Sequence, residues 1–96
     1  MDYSREACEK FKVVQELLYD LFQKKNTQYD NAIEFTGVLG AVVAMTGDIA
    51  RLRKMILRSQ NHGREEASNV QDKLIDIAVQ SIIGIMMLQK GNWEGK

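Results

Sequence analysis

The segment 70–88, VQDKLIDIAVQSIIGIMML, constrains the fold of this chain more than any other. Its apolar side chains recur at helical spacing, and they fall on two sides of the helix instead of one. One row is Leu74, Ile77, Ser81 and Ile85, and the other is Ile75, Val79, Ile82 and Met86. A helix with two apolar rows must be covered on more than one side. We therefore expect it to pack in a bundle that associates with further copies of itself.

The rest of the chain indicates an all-α domain. Its 96 residues include no proline, and no linker or repeat divides them, so we treat 1–96 as a single helical domain. Apolar periodicity predicts three long helices and a short one, over residues 4–24, 27–35, 38–59 and 69–90.

Capping residues and glycines mark the predicted helix ends. Asn26 suits a helix exit, and Thr27 followed by Asp30 resembles the start of a new helix. Gly37 allows a bend before the third helix. Around the last helix, the predicted capping box is Ser68 with Gln71, and the predicted end is Gly91.

Composition narrows the possible partners. The 13 basic and 13 acidic side chains cancel, so net charge favours neither duplex nucleic acid nor a membrane surface. The longest apolar run is interrupted by polar residues and is too short for a transmembrane span. With a single cysteine, Cys8, and no apolar core in residues 1–10, we expect a cytoplasmic protein.

Three aspartates stand beside apolar helix faces. Asp72 and Asp76 lie one turn apart at the head of the last helix, and Asp48 lies at the rim of the apolar seam of the preceding one. Carboxylates gathered at a low-dielectric wall repel one another unless a cation compensates them. A hydrated magnesium ion, which takes oxygen ligands and leaves sites for a phosphate, would do so.

Spacing alone leaves a simpler interpretation open. Asp72 can cap the last helix, because the helix dipole stabilises an acidic side chain in the first turn. Asp76 can then pair with Lys73, and Asp48 with Arg51. A basic stripe of Arg51 and Lys54, continued by Arg58, is equally open to two interpretations. It can bind phosphate oxygens, or it can be an ordinary solvated face.

Three segments in order, FQKKNTQYDNAIEFTGVLG, GDIARLRKMIL and VQDKLIDIAVQSIIG, carry a family resemblance. The chain resembles the nucleotide modification associated domain 1 family over roughly residues 20–93. These are small all-α proteins common in phages and similar in fold to MazG-like nucleotide pyrophosphohydrolases. The matching positions are Lys25, Asn26, Tyr29, Arg51, Leu52, Asp72, Asp76, Ile77 and Ala78.

The resemblance implies a nucleotide site. In the wider fold, carboxylates from neighbouring helices hold magnesium against a nucleoside triphosphate, from which pyrophosphate is released. It implies that Asp72 and Asp76 are metal ligands and that Arg51 is either a charge partner or a phosphate contact. It places Lys25, Asn26 and Tyr29 in the nucleotide pocket.

The chain also departs from the family pattern. Gln28 and Gln71 stand where acids are usual, and Gln80 replaces a frequent aromatic residue. Because glutamine carries no charge, such a site holds magnesium less well.

Three functions follow as hypotheses. The first is a magnesium-dependent nucleotide pyrophosphohydrolase. The second is a non-catalytic, oligomeric nucleotide sponge that sequesters a signalling nucleotide of host defence, in the host cytoplasm if the chain is phage-encoded. The third is a helical interaction module without a small ligand.

Overall fold

The computed structural model describes residues 3–58 and 63–95, and within these ranges it describes the side chains of 4–24, 36–58 and 63–95. All regular secondary structure in the described ranges is α-helical, which confirms the all-α prediction. One run of helical backbone, Tyr3–Arg58, is divided at Gly37, whose φ of 62° and ψ of −157° are not helical. The elements are therefore α1 (3–36), α2 (38–58) and α3 (Arg64–Gln89).

The predicted bend at Gly37 is confirmed, and the C-terminal tail explains its geometry. The amide nitrogens of Val38 and Leu39 donate to the carbonyl oxygens of Asn92 and Trp93 at 3.0 and 2.8 Å. The first amides of a helix have no intrahelical acceptor, so the tail caps α2 with main-chain carbonyls. A Cβ on Gly37 would lie 2.7 Å from the Asn92 carbonyl oxygen, so the tail can approach only a glycine.

The predicted break at Asn26 is wrong. The helical backbone of α1 runs through residues 25–36, so the segment 27–35 is the last part of α1 and not a separate short helix. The segment contains neither proline nor glycine, and its capping residues are also tolerated inside a helix. Continuing the hydrogen-bond ladder is cheaper than nucleating a new helix.

The predicted start of α3 is also wrong. The helix begins at Arg64, and its N-cap is Gly63 with no side-chain capping bond, so Ser68 lies inside the helix. The amide of Ala67 donates to the Gly63 carbonyl at 3.0 Å, which closes the first turn. The first turn carries two acids, Glu65 and Glu66, which its dipole favours.

The predicted end of α3 is confirmed. Gly91 has a φ of 72°, in the left-handed region. The Gly91 amide donates to the carbonyl oxygen of Leu88 at 3.0 Å, and the Asn92 amide donates to the carbonyl oxygen of Met87 at 2.9 Å. This pair of bonds is a Schellman ending, and it turns the chain back toward α2.

Small residues bring α2 and α3 close together in an antiparallel pair. A Cβ on Gly84 would lie 3.6 Å from the Cβ of Ala41, an ordinary contact distance. Farther along the pair, the ammonium group of Lys73 in α3 meets the carboxylate of Asp48 in α2. The buried apolar side chains among the described residues are Ala41, Leu52, Ile83 and Met87. Within the described ranges, no helix has the length and apolar character needed to cross a membrane.

Candidate functional site

All three helices contribute to a polar groove. The groove has a volume of about 270 Å³, and it is lined by Leu21, Phe22, Asp48, Ile75, Asp76, Val79 and Gln80. We call it the Asp48–Asp76 groove. It contains two of the three aspartates that the sequence singles out.

Helical spacing places the polar residues of α3 at this groove. Asp76, Gln80 and Ile83 follow one another at intervals of four and three residues, so they share one face. Ile83 is buried, which fixes the orientation of that face toward the interior. Asp76 and Gln80 therefore continue the core face outward to the groove.

Asp48 is held by two cations. Its Oδ1 atom lies 3.5 Å from the Nζ of Lys73 and 3.7 Å from the Nη2 of Arg51. The Asp48 side chain is only 16% exposed, so screening by water is weaker for it than for a surface acid. The spacing-based pairing of Asp48 with Arg51 is confirmed.

The pairing of Asp76 with Lys73 is wrong, because Lys73 reaches across to Asp48 on the neighbouring helix. The Asp76 carboxylate is half-buried in the groove wall. Among the residues whose side chains the structure describes, it has no ion-pair or hydrogen-bond partner. Its carboxylate can therefore accept hydrogen bonds from a ligand in the groove.

Asp72 lies outside the groove. Its side chain is exposed, and it is absent from the residues that line the cavity. Among the side chains of residues 4–24, 36–58 and 63–95, no three acidic, histidine or cysteine groups come together in an arrangement that could hold a metal ion. A metal role for Asp72 stays a prediction.

The predicted nucleotide contacts divide into two groups. The side chains of Lys25, Asn26 and Tyr29 lie outside the described residues, although their backbone belongs to α1. Arg51 and Lys54 are exposed on α2, and the Arg51 guanidinium contacts Asp48, which lines the groove, although Arg51 is not itself a lining residue. The structure thus brings Arg51, Asp48 and Asp76 together.

Sequence reasoning did not select Lys73, which pairs with Asp48, or the other residues that line the groove, which are Leu21, Phe22, Ile75, Val79 and Gln80. Phe22 belongs to the apolar stripe of α1, whose spacing predicts that its side chain is buried against a neighbouring helix. The spacing does not predict that Phe22 lines a groove. Lys73 lies one turn before Ile77 and three residues before Asp76, which suggested a local pair. Only the antiparallel packing of α3 on α2 brings it to Asp48.

An apolar groove adjoins the polar one. It measures about 380 Å³ and is lined by Gln15, Leu18, Tyr19, Phe22, Val79, Ile82 and Met86. Phe22 and Val79 line both grooves, so the two are neighbours across one shared wall. Together they offer a polar compartment with open acceptors next to an apolar one with aromatic side chains.

Comparison with known proteins identified no relative. No family model matched the chain, and neither the curated proteins nor the solved structures gave a significant match.

Proposed function

We propose that this protein binds a nucleotide in the Asp48–Asp76 groove. The observation that carries the proposal is the half-buried Asp76 carboxylate, which lines a groove with Phe22 and has no partner among the described side chains. An open carboxylate beside an aromatic ring suits a ligand with a planar apolar part and hydrogen-bond donors, such as a base or a ribose. The resemblance to a nucleotide-processing family supports the same ligand class.

Two cationic side chains beside the groove can bind the phosphates of the nucleotide. Lys73 and Arg51 both contact Asp48, and their side chains are 30% and 67% exposed. An incoming phosphate can therefore take over their hydrogen bonds at the mouth of the groove. In this arrangement the base lies toward Phe22 and the apolar groove, and the phosphates lie toward the rim.

Magnesium fits this donor set as a cofactor bound together with phosphate. The ion usually takes one or two carboxylates plus phosphate oxygens and waters. Asp76 would supply an open carboxylate, and Asp48 would supply a second one after exchanging Lys73 for the metal. When bound, the ion would neutralise phosphate charge and polarise the phosphoryl group.

Two fates of the nucleotide are distinguished by their chemistry. Hydrolysis to a monophosphate and pyrophosphate needs a metal held firmly enough to orient the phosphates and the attacking water. The sponge alternative is favoured by the ion pairs that already neutralise Asp48 and by the absence of a third acid at the described part of the groove. We therefore propose nucleotide binding as the main function and nucleotide hydrolysis as the second candidate.

The experiment is incubation with a panel of nucleoside triphosphates and cyclic nucleotides, with and without magnesium. The protein is then denatured, and the released nucleotide is separated by chromatography. A ligand recovered intact identifies a sponge, whereas monophosphate and pyrophosphate identify a hydrolase. No binding to any nucleotide in the panel would contradict both and leave the helical interaction module.

Asp76→Asn and Asp72→Asn are the matched variants for this experiment. Both remove one negative charge from the same face of α3, one inside the groove and one outside it. We expect Asp76→Asn to weaken binding at least tenfold and Asp72→Asn to leave it within twofold. If Asp72→Asn weakens binding as much as Asp76→Asn, the ligand is not confined to this groove, and the family-like ligand pair of Asp72 and Asp76 is favoured.

A further inference from the structure

The α2–α3 pair has a second side, away from the Asp48–Asp76 groove. Two contacts mark the opposite edges of the packing between these helices. At one edge Lys73 meets Asp48, next to the groove that α1 helps to line. At the other edge the hydroxyl of Ser81 donates to the sulfur of Met45 at 3.2 Å, and this contact is exposed. The second side of the pair is the surface that surrounds the Ser81–Met45 contact.

This surface is apolar and exposed on both helices. On α2 its members recur every seven residues, and on α3 they follow at intervals of eleven and three residues, so each set forms one straight row. We call it the α2–α3 apolar face, and it consists of Val42, Ile49, Ile56, Leu74, Ile85 and Leu88. Each of these six side chains is between 43 and 54% exposed.

α1 covers a different side of α3. The apolar residues of α3 that line grooves with α1 are Ile75, Val79, Ile82 and Met86. Leu74, Ile85 and Leu88 belong to the other apolar row of the same helix. Ile82 and Met86 remain 45% and 38% exposed, so α1 covers their row only in part, and the three residues of the other row are 44 to 54% exposed.

The face carries no charge. The α2 row from Val38 through Met45 to Ile56 contains only apolar residues, and the α3 row from Ala67 through Ser81 to Leu88 contains only apolar residues and one serine. The exposed Arg53, one turn after Ile49 and one turn before Ile56, borders the α2 row, so only the rows themselves form an uncharged surface. This surface matches itself, since an apolar row of seven-residue spacing can pack against another such row.

The accessible surface of the chain is larger than that of a compact monomer of the same mass. It amounts to 7735 Å². A compact monomer of this mass exposes about 5,600 Å². The excess of about 2,100 Å² exceeds the roughly 800 Å² that each partner contributes to a stable interface.

We propose that a second copy of this chain covers the α2–α3 apolar face with its own α2–α3 apolar face. A two-fold axis near the Ser81–Met45 contact makes the interface isologous, and the two helix pairs form a four-helix bundle. The Asp48–Asp76 groove lies at the other edge of the pair and stays open in the dimer. The proposal therefore does not rest on nucleotide binding.

Ile49→Glu and Ile85→Glu test this interface. Each places a charge at the centre of the face, on α2 and on α3, at positions exposed enough for the single chain to fold. Val43→Glu is the matched control, because Val43 is a neighbouring apolar residue of α2 that is more exposed, at 63%, and lies on another side of the helix. Circular dichroism verifies that all three variants keep their helix content.

The readout is the mass in solution, by light scattering or sedimentation at about 100 µM, a concentration that favours association. We expect the wild type and Val43→Glu at twice 11.0 kDa or a multiple of it, and both face variants at no more than half the wild-type mass. A wild type of 11.0 kDa would overturn the proposal. So would face variants that keep the wild-type mass, or a Val43→Glu variant that dissociates equally.

Discussion

The amide nitrogen of Val38 donates a hydrogen bond to the carbonyl oxygen of Asn92 at 3.0 Å. The bond joins the first turn of α2 to the tail that follows α3, two segments that are far apart in the sequence. It is possible because Gly37 lets the chain bend on one side and Gly91 turns it back on the other. The start of α2 and the tail after α3, which meet at one end of the antiparallel pair, are thereby tied together by main-chain atoms.

Gly37→Ala is expected to destabilise the protein by about 2 kcal/mol or more. Gly37, with a φ of 62° and a ψ of −157°, lies in a backbone region that essentially only glycine adopts, which costs an alanine about 1 to 3 kcal/mol. In addition, its Cβ would lie 2.7 Å from the Asn92 carbonyl oxygen and the Gly95 amide nitrogen, so the tail must move away. Urea denaturation monitored by circular dichroism measures the free energy of unfolding.

Gly91→Ala is the control for that substitution. Gly91 also has a positive φ, of 72°, but a Cβ there would meet nothing within 4 Å. We expect a loss of about 1 kcal/mol, due to backbone conformation alone. Equal losses at Gly37 and Gly91 would contradict the close approach of the tail to Gly37.

Truncation after Gly91 is expected to destabilise the protein by about 1 to 3 kcal/mol. It removes the carbonyl acceptors of Asn92 and Trp93, so two amides of α2 lose their hydrogen bonds. Removal of Lys96 alone is the control, because it leaves both acceptors in place. A thermal melt that is unchanged after truncation at Gly91 would show that water caps α2 equally well.

Gly84→Ala is expected to stabilise the protein by about 0.5 to 1 kcal/mol. Alanine has the better helix propensity, and its Cβ would meet Ala41 at an ordinary 3.6 Å. Gly84→Leu is expected to destabilise by about 1 to 3 kcal/mol, because the larger side chain forces α2 and α3 apart. Urea denaturation of both variants decides the sign, and a destabilising alanine would mean that the helices pack more closely at this point.

Asp48→Asn is expected to destabilise the protein by about 1 kcal/mol. It removes the charged acceptor of Lys73, whose side chain is only 30% exposed, and leaves that ammonium group without its interhelical ion pair. The outer contact with Arg51 adds little, since that guanidinium is mostly exposed. High salt should reduce the difference between wild type and variant, and a salt-independent loss would point to packing instead.

Asp76→Asn is expected to change the free energy of unfolding by less than about 0.5 kcal/mol, because its carboxylate has no partner among the described side chains to lose. The two aspartates thus separate stability from binding. If the proposed function is correct, Asp48→Asn should lower both stability and binding, whereas Asp76→Asn should lower binding alone. A loss of stability at Asp76 comparable to that at Asp48 would contradict the assignment of an open acceptor.

Helix formation and backbone turns depend on interactions between residues that are close together in the chain, so the sequence alone predicts them. The apolar periodicity gives the helical class, and a glycine is needed wherever the backbone takes a positive φ, as at Gly37 and Gly91. The same periodicity indicated two apolar rows on α3 before any neighbour was known. The errors at Asn26 and Ser68 have a common cause, since capping residues permit a helix end without imposing one.

Which distant groups meet depends on how the helices pack. Lys73 has acids at short range in its own helix, yet its partner is Asp48, because the close packing of Gly84 against Ala41 sets how α3 lies on α2. In the same way the α2 amides take their acceptors from the tail. Hydrogen bonds and ion pairs between segments depend on the relative position of whole helices, which is set by packing that no local pattern contains.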